Sequence, residues 1–381
     1  MNKTITAHLS IGSNLGDKLN NLQKAVFQIH QEAGNVTQLS NVYKSSSWGF
    51  KADDFLNACL TIETKLSALE LLDTILKIET ELGRERNTEE GYAPRIIDID
   101  IIYFEDQIIQ NNHLTVPHPN LHLRKFVLQP LADIAPQFYH PILKKDTRNL
   151  IQECKDDSVL EKTKDTLFST REALFSRLNF IAIEGNIGAG KTSLAKKIAE
   201  DFNAKSVLER FADNPFLPKF YEDQNRYAFP LEMSFLADRY QQFTDDISQF
   251  DLFKNFMVSD YDIYKSLIFA KITLQNDEFS LYRKIFNSMY KDVRKPGVYI
   301  YLYQNNERLL KNIKKRGRDY EQNIDPEYLK KINRGYLDFI KGRPEQNTLI
   351  LDISELDFIE YQKDYDFIIN KLQEYVVSLA F

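Results

Sequence analysis

One stretch decides the fold of the second half of the sequence: Phe180-Ile181-Ala182-Ile183-Glu184, followed by Gly185-Asn186-Ile187-Gly188-Ala189-Gly190-Lys191-Thr192. An apolar strand pattern runs directly into a glycine-rich turn, and helical spacing continues to Phe202. The turn fits G-x-x-x-x-G-K-[ST], in which glycines let backbone N–H groups converge on phosphate oxygens at a helix start. We therefore expect Lys191 to reach the β- and γ-phosphates of a nucleotide and Thr192 to bind Mg²⁺.

The rest of the second half alternates strand and helix patterns. This alternation indicates a parallel sheet flanked by helices, the architecture of an α/β P-loop kinase. The further strands are predicted at residues 256–259, 298–303 and 348–351.

Composition limits what the whole chain can be. Its 381 residues fit two domains, and 43% hydrophobic with 27% charged residues indicate a folded soluble protein. A net charge of −6 disfavours a nucleic-acid partner, and the sequence contains neither a membrane-spanning run nor an apolar targeting segment at its start. Only Cys59 and Cys154 are present, which favours a reducing, cytoplasmic location.

The first half has a different pattern. Short strands alternate with two amphipathic helices, which predicts a compact α+β domain at residues 1–150. Residues 151–177 are rich in charge and weakly periodic, so we interpret them as a helical linker to a second domain at residues 178–381. The strands are predicted at residues 5–11, 37–43, 56–66 and 96–104, and the helices at 19–34 and 71–82.

Polar residues follow the phosphate-binding loop in an order that suits an acceptor site. Glu209 comes at a predicted strand end, where ligands meet a parallel sheet. Glu232 and Arg239 then share one helix face. Farther on, Arg316 and Arg318 fall where a mobile lid would place them against a transferring phosphoryl group.

This half resembles the deoxynucleoside kinase family over about residues 178–381. The resemblance implies that Glu209 takes the proton from the 5′-hydroxyl group and that Arg316 and Arg318 are the lid arginines. It rests on the phosphate-binding loop, Glu209, Asn214-Pro215-Phe216-Leu217, Phe235-Leu236, Arg239, Arg316-Gly317-Arg318 and Glu321.

Further roles follow from the same resemblance. It implies that Tyr221 and Glu321 hold the 3′-hydroxyl group of the deoxyribose, and that Arg239 belongs to the substrate site. Asp260 matches an acidic residue near Mg²⁺. The resemblance also implies a homodimer through helices of this half.

Three positions depart from the family pattern. Glu232 replaces a common glutamine that reads the base; an ionised carboxylate only accepts hydrogen bonds, which favours a guanine-like purine. The usual Arg of an acidic-Arg-Ser motif is missing from Asp260-Tyr261-Asp262, and Lys265 is a candidate for its charge. Asn312 stands where a further lid arginine is expected.

An acidic pair marks the first half. Asp98 and Asp100 alternate in a predicted strand, so both carboxylates face the same way and suit Mg²⁺. Arg95 lies just upstream, and Arg84 and Arg86 follow Gly83. Groups for a metal ion and for phosphates therefore fall within a short stretch.

The first half resembles 6-hydroxymethyl-7,8-dihydropterin pyrophosphokinase over about residues 4–150. The resemblance implies a ferredoxin-like α+β fold and two Mg²⁺ ions held by Asp98 and Asp100. It also implies transfer of the β,γ-pyrophosphoryl group of ATP to a pterin, with release of AMP. The segments that carry it are Gly12-Ser13-Asn14, Phe55-Leu56-Asn57-Ala58, Arg95-Ile96-Ile97-Asp98-Ile99-Asp100, Leu114-Thr115-Val116-Pro117-His118-Pro119 and Arg124-Lys125-Phe126-Val127-Leu128-Gln129-Pro130-Leu131.

The same resemblance implies roles for single residues. Phe55 and Phe126 match the aromatic pair that stacks on the pterin, and Asn57 matches a residue that binds its edge. The residues that match contacts to ATP or to the transition state are Glu79, Arg84, Arg95, His118 and Arg124.

The sequence thus predicts a bifunctional, ATP-dependent and Mg²⁺-dependent phosphotransferase whose partners are small molecules. Two alternatives stay open at this point. One half could be a non-catalytic binding or regulatory domain, or the second half could be a thymidylate- or shikimate-type kinase with another acceptor.

Overall fold

The computed structural model describes residues 3–46, 53–84, 95–210, 214–248, 253–291, 293 and 295–379. The chain divides into two compact units, residues 1–174 with 374–381, and residues 175–373. Arg86 lies outside the described residues. None of the helices in the described ranges is long and apolar enough to cross a membrane.

The first unit is built on an antiparallel sheet with the strand order β5-β1-β4-β3-β8, in which β2 also pairs with β4. A small hairpin, β6-β7, stands apart from it. The strands are β1 (Ile5–Ser13), β2 (Asn35–Leu39), β3 (Tyr43–Ser45), β4 (Phe55–Thr64), β5 (Asp98–Phe104), β6 (Ile109–Gln110), β7 (Thr115–Val116) and β8 (Leu160–Lys162).

The helices of this part begin at local sequence signals. The side chain of Asp17 accepts a hydrogen bond at the start of α1, and Ser67 with Glu70 forms a capping box before α2. Apolar residues on one face of α2 are fully buried in the core. The helices are α1 (Lys18–Gln28), which continues as a π-helical turn (Ile29–Ala33), α2 (Ala68–Glu81), α3 (Lys125–Ile134), α4 (Thr147–Glu153) and α5 (Arg171–Ser176).

The strand register of the first sheet aligns the predicted polar residues. Gly12 of β1 lies opposite Asn57 of β4 on one side and opposite Asp98 of β5 on the other. Ser10 lies opposite Asp100. The predicted pterin and metal residues are therefore brought to neighbouring positions of one sheet.

Two predicted elements of the first half are wrong. Residues 37–43 do not form one strand: the Ser40 hydroxyl accepts a hydrogen bond from Cys59 N (2.8 Å), and Asn41 N donates to Asp133, so the ladder is interrupted. The segment 151–177 is not a helical linker throughout, because β8 within it pairs antiparallel with β3 and belongs to the first sheet.

The second unit has the predicted parallel sheet, with the strand order β10-β11-β9-β12-β13. Helices flank it, as the alternating pattern indicates. The strands are β9 (Phe180–Gly185), β10 (Lys205–Val207), β11 (Met257–Ser259), β12 (Val298–Tyr303) and β13 (Thr348–Asp352). The helices are α6 (Lys191–Asp201), α7 (Leu217–Glu222), α8 (Gln224–Ser248), α9 (Lys265–Thr273), α10 (Asn276–Met289), α11 (Asn306–Arg316), α12 (Pro326–Lys341) and α13 (Gln362–Ser378).

Candidate active sites

The glycine-rich turn joins β9 to α6 and requires glycine at two of its positions. Gly188 and Gly190 have φ of 82° and 85°, in the left-handed region that favours glycine. A Cβ atom at Gly190 would lie 2.8 Å from Cζ of Phe358. The Lys191 ammonium group donates to the carbonyl groups of Gly185 (3.0 Å) and Asn186 (2.9 Å). Ile187 and Ala189 complete the predicted loop between these residues.

Asn186 fixes the loop to α12. Its side-chain amide donates to Leu329 O (2.8 Å) and to Asn333 Oδ1 (2.9 Å), and its oxygen accepts from Ile187 N (2.8 Å). The loop is therefore held by buried side-chain hydrogen bonds before any phosphate binds, which lowers the cost of ordering it.

A network of charges connects the loop to Glu209. The Thr192 hydroxyl donates to Asp260, whose other oxygen accepts from Glu209 N (2.7 Å). Arg239 donates to Glu209 Oε1 through Nε (2.9 Å) and Nη2 (2.7 Å), and Lys265 Nζ lies 2.6 Å from Oε2. Burial alone would raise the pKa of Glu209, but the two cations hold it below the ordinary value.

Lys265, the candidate for the charge of the missing arginine, therefore lies beside Glu209. Its side chain and that of Glu209 are each only 9% exposed. It also contributes to a lowered pKa of Lys191, about 8, for which burial is the largest cause. The sequence could name Lys265 only as a candidate, because Glu209 lies 56 positions away.

Many of the predicted residues of the second half line one cavity, which we call the acceptor cavity. A second cavity, which we call the donor cavity, also borders the loop. The two cavities share the residues Gly188, Lys191, Thr192, Arg316 and Arg318. The acceptor cavity also contains Glu209, Tyr221, Glu232, Arg239, Asp260, Lys265 and Glu321.

The arginines predicted for the lid contact Glu321. Arg316 ion-pairs with this carboxylate, and Arg318 Nη1 lies 3.3 Å from Glu321 Oε1. Burial, then Glu321, raise the pKa of Tyr221 above its ordinary range. Asn312 does not replace the missing arginine charge; its amide donates to Gly188 O (3.0 Å) and Gln304 Oε1 (3.1 Å).

In the first unit, arginines surround Asp98. Arg84 Nη1 lies 2.7 Å from Asp98 Oδ1, and Arg95 Nη1 lies 2.8 Å from Oδ2. Burial and the charge of Asp98 raise the pKa of Asp100 to about 7, while Arg124 opposes this shift. Two neighbouring carboxyl groups, one of which has its pKa raised by burial and by the other, fit the oxygen ligands that Mg²⁺ prefers.

Two further residues position these groups. Glu79 is buried, contacts Arg84 and accepts a hydrogen bond from Ile99 N (2.9 Å), so it braces β5 between the two aspartates. Asn14 Oδ1 accepts from Arg95 N (2.6 Å). The sequence contained Asn14 in a motif, but no local signal connects it with Arg95, 81 residues away.

The predicted pterin residues Phe55 and Asn57 lie at the same end of the sheet as Asp98. Asn57 is buried and donates to Ser45 Oγ (2.9 Å). Phe55 starts β4, and a Cβ atom at Gly12 would lie 3.7 Å from its ring and 3.1 Å from Asn57 Oδ1. Glycine at this position therefore leaves room beside Asn57.

Phe126, Arg124 and His118 lie on the segments that follow the small hairpin. The Arg124 guanidinium carbon lies 5.8 Å from the centre of the Phe126 ring. His118 N donates to Ile102 O (3.1 Å) on β5. Burial, followed by Arg124, lowers the pKa of His118 to about 4, so the imidazole is neutral near pH 7.

Comparison with known proteins identifies both halves. The profile of the deoxynucleoside kinase family matches residues 181–377, just over half of the chain. The profile of 7,8-dihydro-6-hydroxymethylpterin-pyrophosphokinase matches residues 8–136. The chain belongs to both families. It is a transferase in which a pterin pyrophosphokinase domain precedes a deoxynucleoside kinase domain, and the two resemblances drawn from the sequence are confirmed.

The fusion has curated relatives in each family. Residues of the kinase half are 38% identical to deoxyguanosine kinase of Bacillus subtilis (strain 168) over 202 positions, 52% of this chain and 98% of that protein. The first half is 39% identical to the 2-amino-4-hydroxy-6-hydroxymethyldihydropteridine pyrophosphokinase of Aquifex aeolicus (strain VF5) over 157 positions, 41% of this chain and 94% of that protein.

Proposed function

We propose that the chain phosphorylates a purine deoxynucleoside in its second half and pyrophosphorylates 6-hydroxymethyl-7,8-dihydropterin in its first half, with ATP as the donor of both groups. The observation that carries the kinase half is the meeting of the two cavities at Lys191, Thr192, Arg316 and Arg318. An acceptor in one cavity and ATP in the other would place the transferring phosphoryl group between them.

The kinase reaction then follows from the residues at this junction. Glu209 accepts the proton of the 5′-hydroxyl group. The hydroxyl oxygen bonds to the γ-phosphorus as the bond between that phosphorus and the β-phosphate oxygen of ADP breaks. Lys191, Arg316 and Arg318 balance the charge of the transferring group. Thr192 and Asp260 would hold Mg²⁺, which neutralises phosphate charge when it is bound.

The acceptor cavity favours a nucleoside over an already phosphorylated acceptor. Its lining combines Glu232 with the aromatic side chains of Phe235 and Phe269, and Tyr221 with Glu321 suits a sugar hydroxyl group. An ionised Glu232 accepts from the N–H donors of guanine, which supports a purine. The family match of this half with the deoxynucleoside kinases also argues against the thymidylate- and shikimate-type alternatives.

For the first half, we propose that Asp98 and Asp100 hold two Mg²⁺ ions and that Arg84, Arg95 and Arg124 contact the phosphates of ATP. The pterin hydroxymethyl oxygen bonds to the β-phosphorus as the bond between that phosphorus and the oxygen of the α-phosphate breaks. The hydroxyl proton passes to solvent, and AMP leaves. Phe55 and Phe126 would stack on the pterin beside Asn57, with His118 and Glu79 on the ATP side.

The fold of the first half, the bounds of the domains, the oligomeric state and the cellular location are also proposals. The strand order β5-β1-β4-β2 with α1 and α2 between the strands supports a ferredoxin-like fold for the first half. The residues of the two sites would fall within 1–150 and 178–381, and the first compact unit extends beyond the first of these ranges to residue 174. We also propose a homodimer through the kinase helices and a cytoplasmic location, which the free thiols of Cys59 and Cys154 suit.

A panel of acceptors with ATP and Mg²⁺ tests both activities. We expect AMP only with hydroxymethyldihydropterin and ADP only with deoxynucleosides, with deoxyguanosine preferred to deoxycytidine near neutral pH. Separate quantification of AMP and ADP checks this. A half that releases neither product above background would be the non-catalytic domain of the alternative hypothesis, and a clear preference for deoxycytidine would contradict the purine assignment.

Lys265 provides a sharper prediction within the kinase half. Lys265 forms an ion pair with Glu209 and so helps to balance its negative charge. Lys265→Met is therefore expected to lower kcat for ADP formation about 100-fold while AMP formation is unchanged. Lys271→Met, an exposed lysine on the same helix, is the matched control. Steady-state kinetics on folded variants would refute the role of Lys265 if both substitutions had equal effects.

A further inference from the structure

Glu232 is a buried carboxyl group that lines the acceptor cavity. Only 2% of the residue is exposed. Its Oε1 lies 3.1 Å from the Thr273 hydroxyl oxygen, whereas Oε2 has no hydrogen-bond partner among the described residues. An orphaned buried oxygen is costly and indicates a group that a ligand completes.

The Thr273 hydroxyl has one proton and two neighbouring acceptors. Its oxygen lies 3.0 Å from Phe269 O and 3.1 Å from Glu232 Oε1. If Thr273 donates to Phe269 O, its oxygen can accept a hydrogen bond from neutral Glu232 while no base is bound. If it donates to Glu232 Oε1, it satisfies that oxygen and leaves Oε2 to face a ligand with or without a proton. The same geometry therefore suits both protonation states of Glu232.

Two cations and one other carboxylate face Glu232, and both cations are ion-paired with that carboxylate. These groups are Arg239 on the same helix, Lys265 on α9 and Glu209 after β10. The phenol groups of Tyr282 on α10 and Tyr328 on α12 complete the surroundings. Burial therefore prevails and raises the pKa of Glu232 to about 7.

We propose that the protonation state of Glu232 decides whether the kinase half accepts deoxyadenosine in addition to deoxyguanosine. The inference rests on the proposed function of that half. Ionised Glu232 accepts from the N1–H and N2–H groups of guanine and repels the N1 lone pair of adenine. Neutral Glu232 donates one hydrogen bond and accepts another, so it pairs with N1 and N6–H of adenine and also with O6 and N1–H of guanine.

The direction of the pH effect follows from these patterns. Deoxyadenosine requires the neutral form, which dominates below the pKa, whereas deoxyguanosine is accepted by both forms. The ratio of kcat/KM for deoxyguanosine to that for deoxyadenosine should therefore be level at low pH. It should rise about tenfold for each pH unit above the transition.

The ratio is measured with the full chain, ATP and Mg²⁺ between about pH 6 and pH 8.5, a range that brackets the transition of Glu232. Because both nucleosides compete for one site, effects of pH on the phosphoryl-transfer step cancel in the ratio. A flat ratio with both nucleosides turned over would overturn the proton switch and leave the proposed function standing. No ADP with any deoxynucleoside would overturn both.

Two measurements assign the slope to Glu232. Glu232→Gln cannot ionise, so its ratio should be independent of pH, whereas Glu222→Gln, at an exposed glutamate, should keep the wild-type slope. Calorimetric binding to the wild-type chain at about pH 8, in two buffers of different ionisation enthalpy, should show about one proton taken up with deoxyadenosine and almost none with deoxyguanosine. Equal uptake with both nucleosides would overturn the assignment.

Discussion

Replacing Lys191 with alanine is expected to lower the rate of ADP formation by about 1,000-fold while AMP formation stays at the wild-type level. The ammonium group of Lys191 lies at the junction of the acceptor and donor cavities and donates to the carbonyl groups of Gly185 and Asn186. The loop thus fixes the position of this ammonium group, which would neutralise the phosphates of a nucleotide bound by the same loop. Removal leaves the loop glycines and Asn186 in place, so the loss falls on charge balance in the transition state.

Lys196→Ala, at an exposed position on the same helix, is the matched control for this substitution. Release of ADP and AMP is measured on one preparation with each acceptor in turn, so the pterin reaction reports that the variant is folded. Retention of ADP formation within about tenfold of wild type would contradict the role of Lys191. A parallel loss of both products would instead indicate a defect of the whole chain.

The sequence was most informative where chemistry is encoded locally. The phosphate-binding loop places Gly188, Gly190, Lys191 and Thr192 within five residues, and their geometry follows from the turn and the helix start that they form. The alternation of Asp98 and Asp100 within β5 is a similar local signal. Such patterns predict both the element and the direction of its side chains.

The sequence was least informative where a role depends on a partner that is distant along the chain. The packing of α8, α9 and the end of β10 brings Lys265 to Glu209 as a second cation. The same packing brings Thr273 to Glu232. The break at Ser40 has the same origin, because the Ser40 hydroxyl bonds to Cys59 of another strand. No periodicity or spacing records such pairings.

Asp100→Ala is expected to lower the rate of AMP formation by about 1,000-fold without changing ADP formation. The two aspartates differ in their neutralisation: Asp98 is bound by Arg84 and Arg95, whereas burial and the neighbouring Asp98 raise the pKa of Asp100. A carboxyl group held in this way gains most from a bound cation. Removing it deletes a metal ligand while the arginines keep Asp98 in place.

Asp98→Ala should cause a loss of similar size for a further reason, since it also leaves Arg84 and Arg95 without their shared carboxylate. Asp106→Ala, at an exposed aspartate after β5, is the control. Titration of Mg²⁺ separates a metal effect from a structural one, because the weakened Asp100→Ala site should need a higher Mg²⁺ concentration for half-maximal AMP release. If the lower rate of AMP formation in Asp100→Ala did not depend on the Mg²⁺ concentration, the carboxylate would have a structural role in the sheet and would not be a metal ligand.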